Sequence, residues 1–141
     1  MKFAIPFPKA NKISLVLGTE STLYNKTLGY AGSADCIAIH DNDLCIVDFK
    51  NSRTRIDTNK DYGRKKLYKY QLQTTLYALA LEDMIGLVPN KGLIIVGNMD
   101  NFDSSVFKYD INEFKEDALL VIEAFKKDDL ELLQKSVYFS L

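Results

Sequence analysis

The segment LGYAGSADCIAIHDNDLCIVDFK, residues 28–50, contains two apolar runs separated by the polar sequence HDND. Turn-forming residues between two apolar runs predict a β-hairpin. A turn centred on Asp41-Asn42 places Asp35 directly opposite Asp48, and Lys50, two residues further along, points to the same face. One face of this hairpin is therefore predicted to present two carboxylates and one ammonium group.

Two aspartates opposite each other on neighbouring strands need a compensating cation, because like charges in this position destabilise a sheet. Lys50 supplies one positive charge. A divalent ion that prefers carboxylate oxygens, Mg²⁺ or Mn²⁺, would supply more. Such a set, with a lysine to orient or deprotonate water, can hydrolyse a phosphodiester. The alternative is that Asp35 and Asp48 are exposed sheet residues with Lys50 as their ion-pair partner, although Asp is depleted in strands.

The pattern of the whole chain predicts one α/β domain, residues 1–141, with a core over 20–110 and C-terminal helices over 111–141. The polar stretch 51–63 is predicted to be a mobile loop. The predicted strands are 12–17, 28–39, 44–50, 92–98 and 104–109, and the predicted helices are 64–85, 112–127 and 128–134.

The composition is that of an ordinary globular chain: 141 residues, 47% hydrophobic, 26% charged, with a net charge of -1. These values exclude a fibre or a disordered tail. No apolar run approaches the roughly 20 residues of a membrane-spanning helix, and the N-terminus does not resemble a signal peptide. Two cysteines, Cys36 and Cys45, are too few for a disulfide framework, so we expect buried thiols and an intracellular location.

Positive charge is concentrated between Lys50 and Lys69, where eight basic residues face two acidic ones, a net charge of +6. Clustered cations interleaved with tyrosines suit a DNA backbone and unpaired bases. The alternative is a solvated surface face. If the stretch binds DNA, the residues predicted to contact it are Arg53, Arg55, Arg64, Lys65, Lys66 and Lys69, together with Tyr70 directly after them.

The helix after the loop has one polar face. At 100° per residue, Lys66, Tyr70, Gln73 and Tyr77 fall within an arc of about 60°. This face could approach a phosphate or a base, or it could be the solvated side of the helix. The opposite face is apolar and contains Leu72, Leu76 and Leu79.

Three motifs in order resemble the signature of the PD-(D/E)XK nuclease superfamily, in its RecB-like exonuclease branch. They are Gly32-Ser33-Ala34-Asp35, Asp48-Phe49-Lys50 and Gln73-Thr74-Thr75-Leu76-Tyr77, which match G-x-x-D, D-x-K and Q-x-x-x-Y. The stretch over 20–85, more than half of the chain, is similar to the nuclease core of mitochondrial genome maintenance exonucleases and related phage enzymes.

The resemblance implies a restriction-endonuclease-like fold, a mixed central sheet flanked by helices, and DNA cleavage that depends on Mg²⁺ or Mn²⁺. It makes Asp35 and Asp48 metal ligands, together with the backbone carbonyl of Phe49. Lys50 would be the catalytic lysine.

By the same resemblance, Gln73 and Tyr77 would contact DNA phosphate or support the site. Glu20 matches a glutamate that often precedes the aspartate strand and would complete the metal shell, unless it is only an exposed acid at a strand end. The sole histidine, His40, lies at the far end of the hairpin and is not expected to be a ligand. No iron-sulfur cluster is expected, because two cysteines cannot hold one.

The leading hypothesis is an exonuclease that acts on DNA ends or single strands. Two alternatives share the fold: a structure-specific endonuclease that cuts junctions or flaps, and a noncatalytic DNA-binding subunit. A third is an interaction domain with no nucleic-acid role. Many relatives have a helical region upstream of the position of Glu20, so we expect self-association or a partner protein to replace it, as in a minimal enzyme of viral origin working in the host cytoplasm.

Overall fold

A computed structural model of the protein describes residues 13–100 and 102–127. In chain order the elements are β1 (Ile13–Asn25), β2 (Tyr30–His40), β3 (Asp43–Ser52), α1 (Asp61–Ile85), β4 (Lys91–Asn98), β5 (Asp103–Asp110) and α2 (Ile111–Lys127). The five strands form one sheet in the order β1-β2-β3-β4-β5, which is antiparallel throughout except for the parallel pair β3 and β4. The α/β class with a mixed central sheet and flanking helices is confirmed.

The hairpin of β2 and β3 has the predicted register. His40 pairs with Asp43, and Cys36 pairs with Val47. The turn residues Asp41 and Asn42 have φ of 51° and 66°, the left-handed values that a two-residue hairpin turn requires and that Asp and Asn tolerate.

The two faces of the sheet are covered by different residues. On one face α1 crosses the strands and buries a core that includes Ile46, Ile94, Val96 and Tyr109. The opposite face buries Cys36 and Cys45 among Val47, Phe49, Leu93 and Ile95. Both thiols are free and buried, as predicted, and burial raises the pKa of each to about 11.

Helix α1 presents its two faces to different partners. Leu72, Leu76 and Leu79 pack against α2, so the opposite, polar face is turned toward the sheet. The helix begins at Asp61, earlier than predicted, and ends at Ile85. Gly86, with a φ of 72° and an N–H that donates to the Glu82 carbonyl (2.8 Å), forms the left-handed cap. No helix in the part of the chain that the structure describes is long and apolar enough to cross a membrane.

Two predictions about local structure were wrong, and a third falls outside the described residues. Strand β1 is longer than the predicted 12–17, because it pairs with β2 as far as Asn25 and Tyr30. The segment predicted to be a mobile loop is anchored: Ile56 is 6% exposed in the core, and Gly63 packs closely against the Asp57 carbonyl. The predicted helix at 128–134 lies outside the described residues.

Candidate active site

The two predicted aspartates lie side by side where the β2–β3 ladder ends. Asp48 is on β3, on the face that α1 covers, and is only 4% exposed. Asp35 lies one position beyond the last β2–β3 pair, and its Oδ2 accepts a hydrogen bond from the Phe49 backbone N–H (2.8 Å). This side-chain hydrogen bond takes the place of a further backbone hydrogen bond between β2 and β3, and it fixes the Asp35 carboxylate beside Asp48.

Lys50 connects this strand to helix α1. Its Nζ lies 3.2 Å from Oδ2 of Asp48 and donates a hydrogen bond to Oε1 of Gln73 (3.1 Å). The same Nζ lies 4.9 Å from the centroid of the Tyr70 ring, within the range of a cation–π contact. Three groups from two elements therefore fix the position of one ammonium group.

The local environment changes the protonation of Asp48. The pKa of Asp48 is raised to about 7: burial is the largest cause, the carboxyl of Asp35 within hydrogen-bonding reach adds to the rise, and Lys50 opposes it. One ammonium group therefore does not fully compensate the two carboxylates. Sites with strongly shifted ionisable groups are often functional.

Gln73 and Tyr77, four residues apart on α1, form a continuous contact from Lys50 to β2. Burial raises the pKa of Tyr77, and the nearby Asp48 and Asp35 carboxylates raise it further, whereas a hydrogen bond from Gln73 lowers it. The Tyr77 ring lies directly over Gly32, because a Cβ built there would be 2.5 Å from Cε1 of Tyr77. The three motifs of the sequence thus meet in one place.

The donor set fits a hard divalent cation in part. Asp35 and Asp48 provide carboxylate oxygens, and Oδ2 of Asp48 is buried with no hydrogen-bond partner in the described part of the protein, where Lys50 is its ion-pair neighbour. Among residues 13–100 and 102–127, no group of three or more His, Cys, Asp or Glu side chains is arranged to hold a metal. Mg²⁺ is commonly bound through one or two carboxylates plus water and phosphate oxygens, and the two aspartates provide that number of carboxylates.

The two further predicted metal ligands, Glu20 and Phe49, both lie next to Asp35. Glu20 occupies the β1 position opposite Asp35, between the pairs of Thr19 and Ser21, but it is exposed and has a φ of 47°. It does not join the two aspartates in a three-carboxylate cluster. The backbone of Phe49 is next to Asp35, which accepts its N–H.

The residues predicted to contact DNA lie in the segment after β3 and on the first turns of α1. Arg53 and Arg55 are exposed in the segment after β3. Arg64 and Lys65 are exposed on the first turns of α1, where Asp61 lies 3.7 Å and 3.2 Å from them. The half-buried residues on the following turns are Lys66, Lys69 and Tyr70. His40 is buried at the opposite end of the hairpin, away from the aspartates.

Sequence reasoning missed a group of buried polar residues on the same face. On this face Lys50 of β3 pairs with Val96 of β4, which pairs in turn with Ser105 of β5. Two residues further along β3 and β4, Ser52 pairs with Asn98. Asn98 is 2% exposed, and neither polar atom of its side chain has a hydrogen-bond partner in the described part of the protein. A signal was present, since the apolar run GLIIVGN ends in a polar residue, but only strand pairing places it near Lys50.

Comparison with known proteins identifies no family for the chain. No protein-family model matches it, and no curated protein matches it. A crystal structure of SSO0001 is similar over 74% of this chain and 50% of that one, with 15% sequence identity and a TM-score of 0.41. This chain therefore spans about half the length of that protein.

Proposed function

We propose that this protein is a metal-dependent deoxyribonuclease that hydrolyses phosphodiester bonds, as an exonuclease on DNA ends or single strands. One observation supports this most directly. Lys50 lies between Gln73 and an aspartate pair of which Asp48 is buried and Asp35 half-buried, within 3.2 Å of Asp48 and 3.1 Å of Gln73. Phosphodiester hydrolysis can use this combination, because negative charge develops on the phosphate oxygens as water attacks and a fixed ammonium group stabilises that charge.

Each side chain has a definite task in this proposal. Asp35 and Asp48 hold Mg²⁺ or Mn²⁺, aided by the Phe49 carbonyl, and the ion supplies Lewis-acid chemistry when bound. The ammonium of Lys50 orients the attacking water and stabilises the anion that forms. Gln73 accepts a hydrogen bond from Lys50 and thereby holds its Nζ at a fixed place. No further cofactor is needed.

The exposed cations extend the site along a DNA strand. Arg53 and Arg55 follow β3 directly, so they lie within a few residues of Lys50. Arg64 and Lys65 lie on α1 about one and a half turns before Tyr70. Phosphate contacts from such residues give affinity without sequence preference, which suits a nuclease.

A noncatalytic DNA-binding subunit is the less favoured alternative. Burying the Asp48 carboxylate costs free energy, because desolvation disfavours its charged form. A protein that only bound DNA would gain nothing from this cost. The burial of Asp48 together with Lys50 therefore supports a catalytic site.

The test uses a second Lys–Asp pair in the same sheet as a matched control. Lys108 lies 2.7 Å from Asp43, with side-chain exposures of 25% and 31%, and Lys50 is likewise 26% exposed. Asp48→Asn and Lys50→Met are compared with Asp43→Asn and Lys108→Met on linear and circular, single- and double-stranded DNA. The assays contain Mg²⁺, Mn²⁺ or EDTA.

We expect cleavage by the wild type and by both control variants with metal, and at least a hundredfold loss in Asp48→Asn and Lys50→Met. Cleavage in EDTA, or full activity of both site variants, contradicts the proposal. Degradation restricted to linear DNA supports an exonuclease, whereas nicking of circular DNA indicates an endonuclease.

A further inference from the structure

A cleft of about 370 Å³ opens beside the candidate site, between the β1–β2 turn, α1 and α2. Gln73 and Tyr77 form the wall nearest the aspartates. The other walls are mostly apolar, and Lys126 lies among the lining residues. The apolar lining residues are Leu28, Tyr30, Leu76, Ile122 and Phe125.

The cleft has the size and chemistry of a site for one flat heterocycle. Its volume is in the lower part of the range typical of small-molecule sites. Gly32 and Ala31 are small residues on the β2 side, so Tyr30 is the one large side chain that β2 contributes to the lining. Aromatic and apolar walls with a few polar groups are how proteins hold bases that have left the stack.

The cleft is continuous with the candidate catalytic residues. Gln73 lines it and also accepts the hydrogen bond from Lys50 (3.1 Å). A strand whose phosphate lies at Lys50 therefore has a neighbouring nucleotide within reach of the cleft. Lys126 supplies a positive charge there for the phosphate of that nucleotide.

We propose that this cleft binds one unpaired nucleobase of the DNA strand held at Lys50, so that the substrate class is single-stranded DNA or a frayed end. The inference rests on the proposed nuclease function. A base in an intact duplex is stacked and paired, and it cannot enter a cleft between two helices without leaving the stack. The cleft therefore selects strands in which that base is already free.

The experiment fills or opens the cleft without changing a residue of the catalytic set. Ala31→Leu enlarges an exposed residue of β2 that lines the cleft, and Phe125→Ala removes a wall that is 40% exposed. Ser33→Leu, exposed on the same strand, is the control for the first variant. Leu120→Ala, 42% exposed on α2 and not among the residues lining the cleft, is the control for the second.

Each protein is tested on a series of single-stranded oligonucleotides that carry one abasic residue, moved one position at a time. Cleavage is followed with Mn²⁺, and binding is followed by fluorescence anisotropy with Ca²⁺. For the wild type and both controls, we expect about a tenfold loss at one abasic position, in line with the stacking contribution of one base. Ala31→Leu and Phe125→Ala should bind and cleave intact and abasic strands equally.

Four outcomes are distinguishable. Abasic sensitivity that is lost in Ala31→Leu and Phe125→Ala supports the inference. Cleavage by the wild type with no sensitive position, or sensitivity that persists in both cleft variants, overturns the base site while leaving the nuclease intact. Position-sensitive binding without cleavage overturns the nuclease function and leaves a base site. Neither binding nor cleavage overturns both.

Discussion

The ring of Tyr77 lies on the backbone of Gly32, so closely that a Cβ at position 32 would be 2.5 Å from Cε1 of Tyr77. The glycine of the first motif is thus needed by the tyrosine of the third. Because Gln73 joins Tyr77 to Lys50 of the second motif, a change at Gly32 reaches the candidate site through two side chains.

Gly32→Ala should therefore reduce both stability and cleavage. The added methyl group forces the Tyr77 ring to move, and overpacking of this kind costs about 1–3 kcal/mol. We expect a lower melting temperature in thermal unfolding and a lower cleavage rate, with Ser33→Ala unchanged in both. Adding Tyr77→Ala to Gly32→Ala should restore no activity but should remove the clash, so the two stability effects should not add.

Tyr77→Phe and Tyr109→Phe should separate function from stability. The Tyr109 ring lies over Gly92 as Tyr77 lies over Gly32, and its hydroxyl donates to the Gln71 carbonyl (2.7 Å) and lies 2.9 Å from Oγ1 of Thr75. Tyr77→Phe should slow cleavage about fivefold, because one hydrogen bond that orients Gln73 is lost.

Tyr109→Phe should instead lower the free energy of unfolding by about 1–3 kcal/mol, because buried polar partners remain unsatisfied. Its cleavage rate below the melting temperature should equal that of the wild type. Paired urea unfolding and initial-rate measurements check both variants. Equal effects of the two substitutions on cleavage would show that Tyr77 has only a packing role.

Asp48→Asn should stabilise the metal-free protein at high pH and not at low pH. The pKa of Asp48 is about 7 in the folded protein, above its ordinary value of 3.8. Between these values the folded state binds more protons than the unfolded state, so the free energy of unfolding falls as pH rises through that window. The variant avoids this loss, which reaches at most about 4 kcal/mol above pH 7.

Urea unfolding in EDTA at pH 4, 6 and 8 measures the difference in free energy of unfolding between Asp48→Asn and the wild type. This difference should be small at pH 4 and largest at pH 8. Asp43 is the control, since its partners Lys108 and Asn90 lower its pKa, and Asp43→Asn should show no such gain at pH 8. A constant difference between Asp48→Asn and the wild type across this range would contradict the raised pKa.

Mn²⁺ should stabilise the folded protein in a pH-dependent way. An ion that binds only the native state adds about 2.7 kcal/mol to the free energy of unfolding when its free concentration is one hundred times its dissociation constant. The gain should shrink below pH 7, because a proton on Asp48 competes with the ion. Thermal unfolding with and without Mn²⁺ should show the gain for the wild type and Lys108→Met. The same gain in Asp48→Asn would place the ion elsewhere.

The exposed arginines after β3 should determine the salt dependence of DNA binding. Each phosphate contact contributes about 0.7 to the slope of log K against log salt concentration for single strands. Arg53→Gln with Arg55→Gln should therefore weaken binding and lower the slope by about 1.4. Lys91→Gln, at the opposite end of β4, is the control. An unchanged slope in the double variant would show that these arginines do not contact DNA phosphates.

The register of the β2–β3 hairpin could be predicted from local sequence alone. Asp41 and Asn42 accept left-handed backbone angles, and the strict alternation of strand side chains then fixes which residues share a face. The same alternation separated Cys36 and Cys45 from the aspartates. The division of α1 into an apolar and a polar face followed from the helical period for the same reason.

Contacts between elements distant in the chain could not be predicted in this way. The length of β1 depends on pairing with β2, and the anchoring of the 53–60 segment depends on burying Ile56 and on the close approach of Gly63 to Asp57. The placement of Asn98 beside Ser52 results from the parallel pairing of β3 and β4, two strands that α1 separates in the chain. In each case the deciding energy comes from packing against residues that the local sequence does not specify.

The sequence by itself determined the α/β class, the hairpin register and the shared face of Asp35, Asp48 and Lys50, because turn chemistry and the period of two act over neighbouring residues. Only the tertiary structure decided that Asp48 is buried enough for a pKa of about 7, that Gln73 binds Lys50, and that Tyr77 requires Gly32. Desolvation and close packing depend on what the rest of the fold places around a side chain, and no local pattern contains that information.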